Sequence, residues 1–216
     1  MTGSDTGGVI QGSPVHLSKG FQGHRSVTKH DGSTKDGWYS YICGHCNTKV
    51  SSAVVCGYYE DKEPPIKWLL CTNCGNGSVL AKDGNVYPGV PFGPNIEGLP
   101  ETVLDAYKEA RNCMTVNAFA SCELICRKIL MHVAVEKGAK EGDKFVNYLS
   151  YLEEQGFITP PMKGWVDLIR QHGNKATHSL ESPDKRRAES TLMFTAELLR
   201  LIYEMEHLSK QYTEET

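Results

Sequence analysis

The chain has 216 residues, 39% hydrophobic and 23% charged, with a formal net charge of −3. That length suits one medium domain or two small ones, and no apolar run approaches the roughly 20 residues a membrane helix needs. Eight basic and eight acidic residues up to position 100, then 15 and 18, exclude a polybasic nucleic-acid binder in either half. Any contact with nucleic acid has to be local.

Residues 1–36 are rich in Gly, Ser and Thr and read as a flexible arm. His24 and His30 fall there and read as solvated. The opening "MTGSDTGGVIQGSP" has no basic segment followed by an apolar one, so it does not read as a secretory leader. A cytoplasmic location without a membrane partner is the expectation.

The texture changes over residues 37–87. "WYSYIC", "SSAVVCGYY", "IKWLLC" and "SVLAKDGNVY" are short β-like runs separated by turn residues, and the Asp-Gly of the last predicts a tight hairpin. Two of the runs end in cysteine pairs, "CGHC" (Cys43, Cys46) and "CTNC" (Cys71, Cys74). In a reducing compartment the eight cysteines of this chain do not form a disulfide framework. Two C-x2-C pairs at this separation are the signature of a four-thiolate zinc site. Two residues between cysteines let one tight turn aim both sulfurs at one ion, and two such turns close a tetrahedron. Asn47 and Gly75, which follow the second cysteine of each pair, tolerate the positive φ those turns need. Four protein ligands leave no open position, so the expected Zn²⁺ is structural. It would supply folding free energy on the order of 10 kcal/mol to a module with little core of its own. Cys56 reads as a half-buried strand thiol, with replacement of a ligand as the alternative. His45 is expected at the surface.

Residues 88–100 hold Pro88, Pro91, Pro94 and Pro100 among glycines, which no helix or central strand tolerates. They read as an extended, stiff linker. Residues 101–212 read as helical. Val103, Leu104, Tyr107, Ala110 and Met114 recur at helical spacing, then Ala118, Cys122, Ile125, Ile129 and Val133 up to Gly138. A third helix carries Phe145, Tyr148, Leu149 and Leu152 and stops at Gly156. Thr159–Pro160 and Ser182–Pro183 read as starts of the fourth and fifth. Cys113, Cys122 and Cys126 lie on apolar stripes and read as core thiols, with a metal shared by Cys122 and Cys126 as the alternative. Leu192, Met193, Phe194, Leu198, Leu199, Leu201 and Ile202 make the last helix apolar beyond one stripe, which predicts a homodimer through the helical domain.

In "DLIRQHGNKATHS", Arg170, Asn174 and His178 recur every fourth residue and would share one helix face. One reading is structural, with Arg170 paired to Glu154 or another carboxylate. The other is chemical. An always-charged guanidinium binds phosphate, an imidazole moves a proton near neutral pH, and an amide orients either. Together they suffice to cleave RNA without a metal. From Lys163 to Arg187 there are six basic and three acidic residues, so the local basic bias sits beside this trio.

Residues 99 to about 206 resemble the family of domain of unknown function 4145. The likeness rests on "LPETVLDAYKEARNCM", "NAFASCELICRKIL", "YLEEQGFI" and above all "WVDLIRQHGNKATH", with its Gly173, Asn174 and His178. That family is similar to HEPN domains, helical bundles that are often dimeric and often RNases of toxin and antiphage systems. The resemblance implies a mainly α protein: a small zinc-ribbon-like β module, then an antiparallel bundle of about five helices, HEPN-like. An active HEPN motif has an arginine, a polar residue and then a histidine. Asn174 and His178 fall on the last two positions, Gly173 falls where the arginine belongs, and Arg170 lies one turn earlier. Two functional expectations follow. The first is a non-catalytic module that binds RNA or a protein of a bacterial or phage defence or counter-defence system. The alternative is a metal-independent endoribonuclease using Arg170, Asn174 and His178 in a dimeric cleft. A purely structural adaptor is the third reading.

Overall fold

The computed structural model describes residues 28–29, 35–59, 64–176 and 182–213, with backbone alone for 28–29, 36 and 172–176. The first part is one antiparallel sheet of β1 (Thr28–Lys29), β2 (Trp38–Ile42), β3 (Lys49–Tyr58), β4 (Ile66–Leu70), β5 (Gly77–Leu80) and β6 (Val86–Tyr87). β1 and β2 both pair with β3, along the same edge, and β4, β5 and β6 follow in order on its other side. Side chains alternate between two faces, as the period of a strand demands. Tyr41, Val50, Val54, Leu69 and Leu80 turn inward with Cys43 and Cys71 and form a separate small core. A bulge between Val54 and Cys56 puts one extra residue into β3, which increases local twist. The sheet curls until Tyr41 on β2 donates its hydroxyl to Ser78 Oγ on β5, 3.2 Å away.

The expected Asp-Gly hairpin is present. Gly84 takes φ +78° and Ala81 donates to the Asn85 carbonyl at 2.9 Å, closing the turn between β5 and β6. The segment after β6 has no regular structure, yet it is strapped to the helices. Arg111 donates to the carbonyls of Phe92 and Gly93, each at 3.0 Å, and to Asn95 Oδ1 at 2.7 Å. Tyr107 donates to Pro94 O at 2.9 Å, and Ile96 enters the helical core.

The second part holds α1 (Glu101–Thr115), α2 (Phe119–Glu136), α3 (Phe145–Glu154), α4 (Lys163–Ala176) and α5 (Lys185–Leu199). A π turn at Arg200–Glu204 carries α5 on into α6 (Met205–Thr213). α2 sits centrally and touches α1, α3 and α5. Its Cys122, Cys126, Ile129, Leu130, Val133 and Ala134 are buried, so both thiols pack as core residues. α2 and α3 stop as expected: Gly138 and Gly156 take positive φ, and Ala139 and Phe157 donate back to the carbonyls of Ala134 and Leu152 at 2.9 Å. Two starts differ from expectation. Thr159 makes no cap bond, and Pro160–Met162 forms a 3-10 turn before α4. The cap of α5 is Asp184, not Ser182: its carboxylate accepts from Arg187 N at 2.8 Å. The aspartate is the residue placed to meet the N–H three positions on.

Among the described residues the chain is a curled antiparallel sheet followed by helices, about 52% helical, a mixed α/β arrangement roughly consistent with the expected order of a small β module and then a helical domain. No helix among the described residues is long and apolar enough to cross a membrane. His24, His30 and His178 lie outside the described residues.

Candidate metal centre and the face of the fourth helix

The two cysteine pairs form matching turns. After Cys43, the Asn47 N–H donates to Cys43 O at 2.8 Å and Cys43 N–H to Thr48 O at 3.0 Å. After Cys71, Gly75 donates to Cys71 O at 2.9 Å and Cys71 to Asn76 O at 3.0 Å. Asn47 and Gly75 take φ +54° and +72°, the conformation each pair needs to bring its second sulfur round. β2 leads into the first turn and β3 out of it, and β4 and β5 serve the second in the same way. The curl of the sheet therefore brings the turns together.

All four sulfurs lie within 4.8 Å of one another. Cys43 Sγ and Cys74 Sγ are 3.9 Å apart, and Cys46 Sγ and Cys71 Sγ 3.8 Å. A tetrahedron with metal–sulfur bonds of about 2.3 Å has an edge of about 3.8 Å, so the donor set fits one tetrahedral ion. Cys43 and Cys71 are buried and Cys74 is exposed, which places the cluster at the rim of the module. Cys56 lies on β3 and is not part of it. His45 is exposed, its Nε2 3.0 Å from Gly77 O.

The surroundings favour thiolates at two positions. Hydrogen bonds from Asn73 and Thr48 draw Cys46 down to about 6. The backbone N–H groups of Cys74 and Asn73 lower Cys71. Burial pushes Cys43 up to about 11. A dication among the four would overcome that burial, because coordination favours the charged sulfur. Asn73 Nδ2 donates to Cys46 Sγ at 3.5 Å and Asn76 Nδ2 to Cys74 Sγ at 3.4 Å. Those amides offset negative charge on the sulfurs. The sequence pattern did not single out either asparagine; their place within two residues of Cys74 was the available signal.

On α4, Arg170 and Asn174 lie four residues apart. The Arg170 guanidinium turns to carboxylates: Nη1 donates to Asp167 Oδ1 and Nη2 to Glu153 Oε2, both at 2.8 Å. The other oxygen of Glu153 takes Lys163 Nζ at 3.2 Å. The partner across the helix pair is thus Glu153 of α3, the neighbour of Glu154. Asp167 was legible as an i,i+3 partner, whereas Glu153 carries no local sequence signal. The side chain of Asn174 and all of His178 are outside the described residues. In the basic stretch that follows, Arg187 folds inward and grips Glu123 of α2 through two bonds of 2.7 and 2.8 Å. Arg186 and Lys185 stay exposed, with Lys185 Nζ 3.7 Å from Glu189.

A curled sheet holding a four-thiol cluster able to take a metal ion, carried ahead of a helical domain, defines the class. The model of the family described as Domain of unknown function (DUF4145) matches residues 108–215, and the chain belongs to that family. No curated protein and no solved structure matches the chain.

Proposed function

We propose that the chain is a zinc-ribbon-like sheet joined to a HEPN-like helical domain, a module that binds a partner and has no catalysis of its own. The metal is Zn²⁺ held by Cys43, Cys46, Cys71 and Cys74. It serves structurally, because four sulfurs leave no position for substrate or water. The partner is RNA or a protein of a defence or counter-defence system, in keeping with the resemblance to HEPN domains of antiphage systems.

One observation carries the non-catalytic reading: the guanidinium of Arg170 is held at 2.8 Å by both Glu153 and Asp167. RNA cleavage at this face needs a cation turned to the phosphate as charge builds there. Arg170 and Lys163 are matched by Glu153 and Asp167, so the group of four is neutral. A phosphate would have to displace two carboxylates, both close and both negatively charged. The competing reading, a metal-independent endoribonuclease with Arg170, Asn174 and His178 as its catalytic groups, keeps one point in its favour. Arg170 and Asn174 are spaced to share a helix face.

Labelled single-stranded RNA incubated with pure protein, with and without chelator, separates the two. The expected result is intact RNA and identical traces for the parent, Arg170→Ala and His178→Ala. Cleavage that persists in chelator and disappears in both variants would establish the nuclease and overturn the proposal.

A further inference from the structure

The outer, convex face of the sheet carries chemistry that neither the metal cluster nor α4 uses. Its composition follows from register. Residues paired directly across antiparallel strands point to the same face, so Trp38, Ala53, Leu70 and Gly77 form one row. Cys56, Trp68 and Val79 form the next row. Ser40 faces Ser51 and Ile42 faces Lys49 on the other side of the Trp38 row. Val55, the extra residue of the bulge, is exposed as well. Trp38, Ile42, Val55, Trp68 and Leu70 keep 39–48% of their surface open to solvent. Water-facing positions of a small sheet are ordinarily polar, and five large apolar side chains on one such face mark an interaction surface.

The polar groups between the rings identify the ligand. Ser40, Ser51 and Lys49 are exposed on this face and can donate hydrogen bonds, and no described carboxylate shares it. Residues 35–87 as a whole carry five lysines and five acids, so charge is read locally: the charged side chain that register places on this face is Lys49, and the acid among the described side chains of the sheet is Asp83. Asp83 is committed to its own turn, accepting from Asn85 N and from the Tyr87 hydroxyl. Glu60, Asp61 and Glu63 follow the far end of β3 in sequence, so an anionic ligand belongs at the Lys49 end. Trp38 and Trp68 sit two strands apart and two residues apart along them, roughly 12 Å on the diagonal from strand spacing and rise. Indole rings spaced over several ångströms, hydroxyls between them and an ammonium at one end suit unpaired bases joined by phosphates.

We propose that this face binds single-stranded nucleic acid, stacking bases on Trp38 and Trp68 and drawing phosphate to Ser40, Ser51 and Lys49. The assignment rests on the partner-binding reading above and supplies its ligand and its site. Stacking dominates and one lysine contributes, so affinity falls only shallowly with salt, unlike that of a protein making many phosphate contacts.

The test is fluorescence anisotropy of full-length, metal-containing protein with 5′-fluorescein-labelled oligouridylate and oligothymidylate, a duplex of the same length serving as control. Both single strands should bind better than duplex. Trp38→Ala and Trp68→Ala should each weaken binding by at least roughly five-fold, Trp68→Phe should retain most of it, and raising salt from 50 to 200 mM should cost less than about ten-fold. Unchanged metal content and circular dichroism confirm that a variant is folded. Quenching of the parent's own tryptophan fluorescence by the oligonucleotide reports on the rings without any substitution. No binding of either strand overturns the inference. So does binding that ignores both tryptophans, although the partner-binding reading then survives. Light scattering that shows a parent dimer falling to monomer in Trp38→Ala also overturns it, because the face is then an interface between copies. Cleavage of the oligouridylate would instead strike at the non-catalytic reading and leave the binding face in place.

Discussion

Replacing Cys71 by serine removes one of the two buried sulfurs of the cluster. A hydroxyl is a far poorer ligand for zinc than a thiolate, and the remaining three sulfurs no longer complete a tetrahedron. Structural zinc contributes on the order of 10 kcal/mol in apparent folding free energy at neutral pH. Among the described residues the sheet core holds five buried apolar side chains other than cysteine: Tyr41, Val50, Val54, Leu69 and Leu80. At about 1.5–3 kcal/mol each, their gross contribution is about 8–15 kcal/mol, so a zinc ion held by the four sulfurs would supply a share comparable with the whole apolar core. Cys71→Ser should therefore lose its metal and unfold residues 35–87, while the helical domain, with its own core, persists. Metal content by mass spectrometry, far-UV circular dichroism and limited proteolysis read the three outcomes. Cys56→Ser is the control and should keep full metal. A Cys71→Ser protein with one metal per chain and parental protease resistance would refute the argument.

Arg187→Ala leaves the Glu123 carboxylate buried without its bidentate partner and should cost about 3–5 kcal/mol in urea unfolding, whereas Glu123→Leu with Arg187→Met should recover most of it. Equal losses for the single and double variants would show that the pair is not what matters. Hydrogen bonds from Arg170 and Lys163 hold the Glu153 carboxyl below its ordinary value. A carboxyl lowered in the folded state stabilises fully above its unfolded pKa of about 4.3 and ceases to do so as pH falls through the folded value. Glu153→Gln should therefore melt below the parent at pH 7, with the gap closing as pH drops beneath about 4. A gap that widens in acid contradicts the sign. For self-association, Leu192, Phe194, Leu198, Leu199 and Ile202 lie in the core of their own domain. Leu201, Met205 and Tyr212 remain exposed, and with Leu208 they run at spacings of four, three and four. If that stripe joins two copies, light scattering should show a dimer that Met205→Glu dissociates; a parent monomer across the micromolar range removes the idea.

The four-cysteine cluster was the most legible feature. C-x2-C is a local code: two residues fix the turn, and the following Asn47 or Gly75 fixes its φ, so the chemistry is written within five positions. The same holds for helix stops, where Gly138 and Gly156 act within one turn. The short β-like runs marked the strands, but neither their inward residues nor the apolar outer face was read from them. That outer face emerges only when register sets Trp38, Leu70 and Trp68 side by side from separate strands.

What the sequence by itself determined is what neighbours along the chain control: two cysteine turns, the irregular proline-rich segment, the stops of α2 and α3, and the family. What only tertiary structure decided is which distant groups meet. Glu153 reaches Arg170 and Glu123 reaches Arg187 across helix pairs, and Arg111 ties down the proline-rich segment. A guanidinium reads the same on a helix wheel whether it faces a phosphate or a carboxylate. The choice falls to whichever anion packing places within 3 Å, and at Arg170 packing placed two carboxylates.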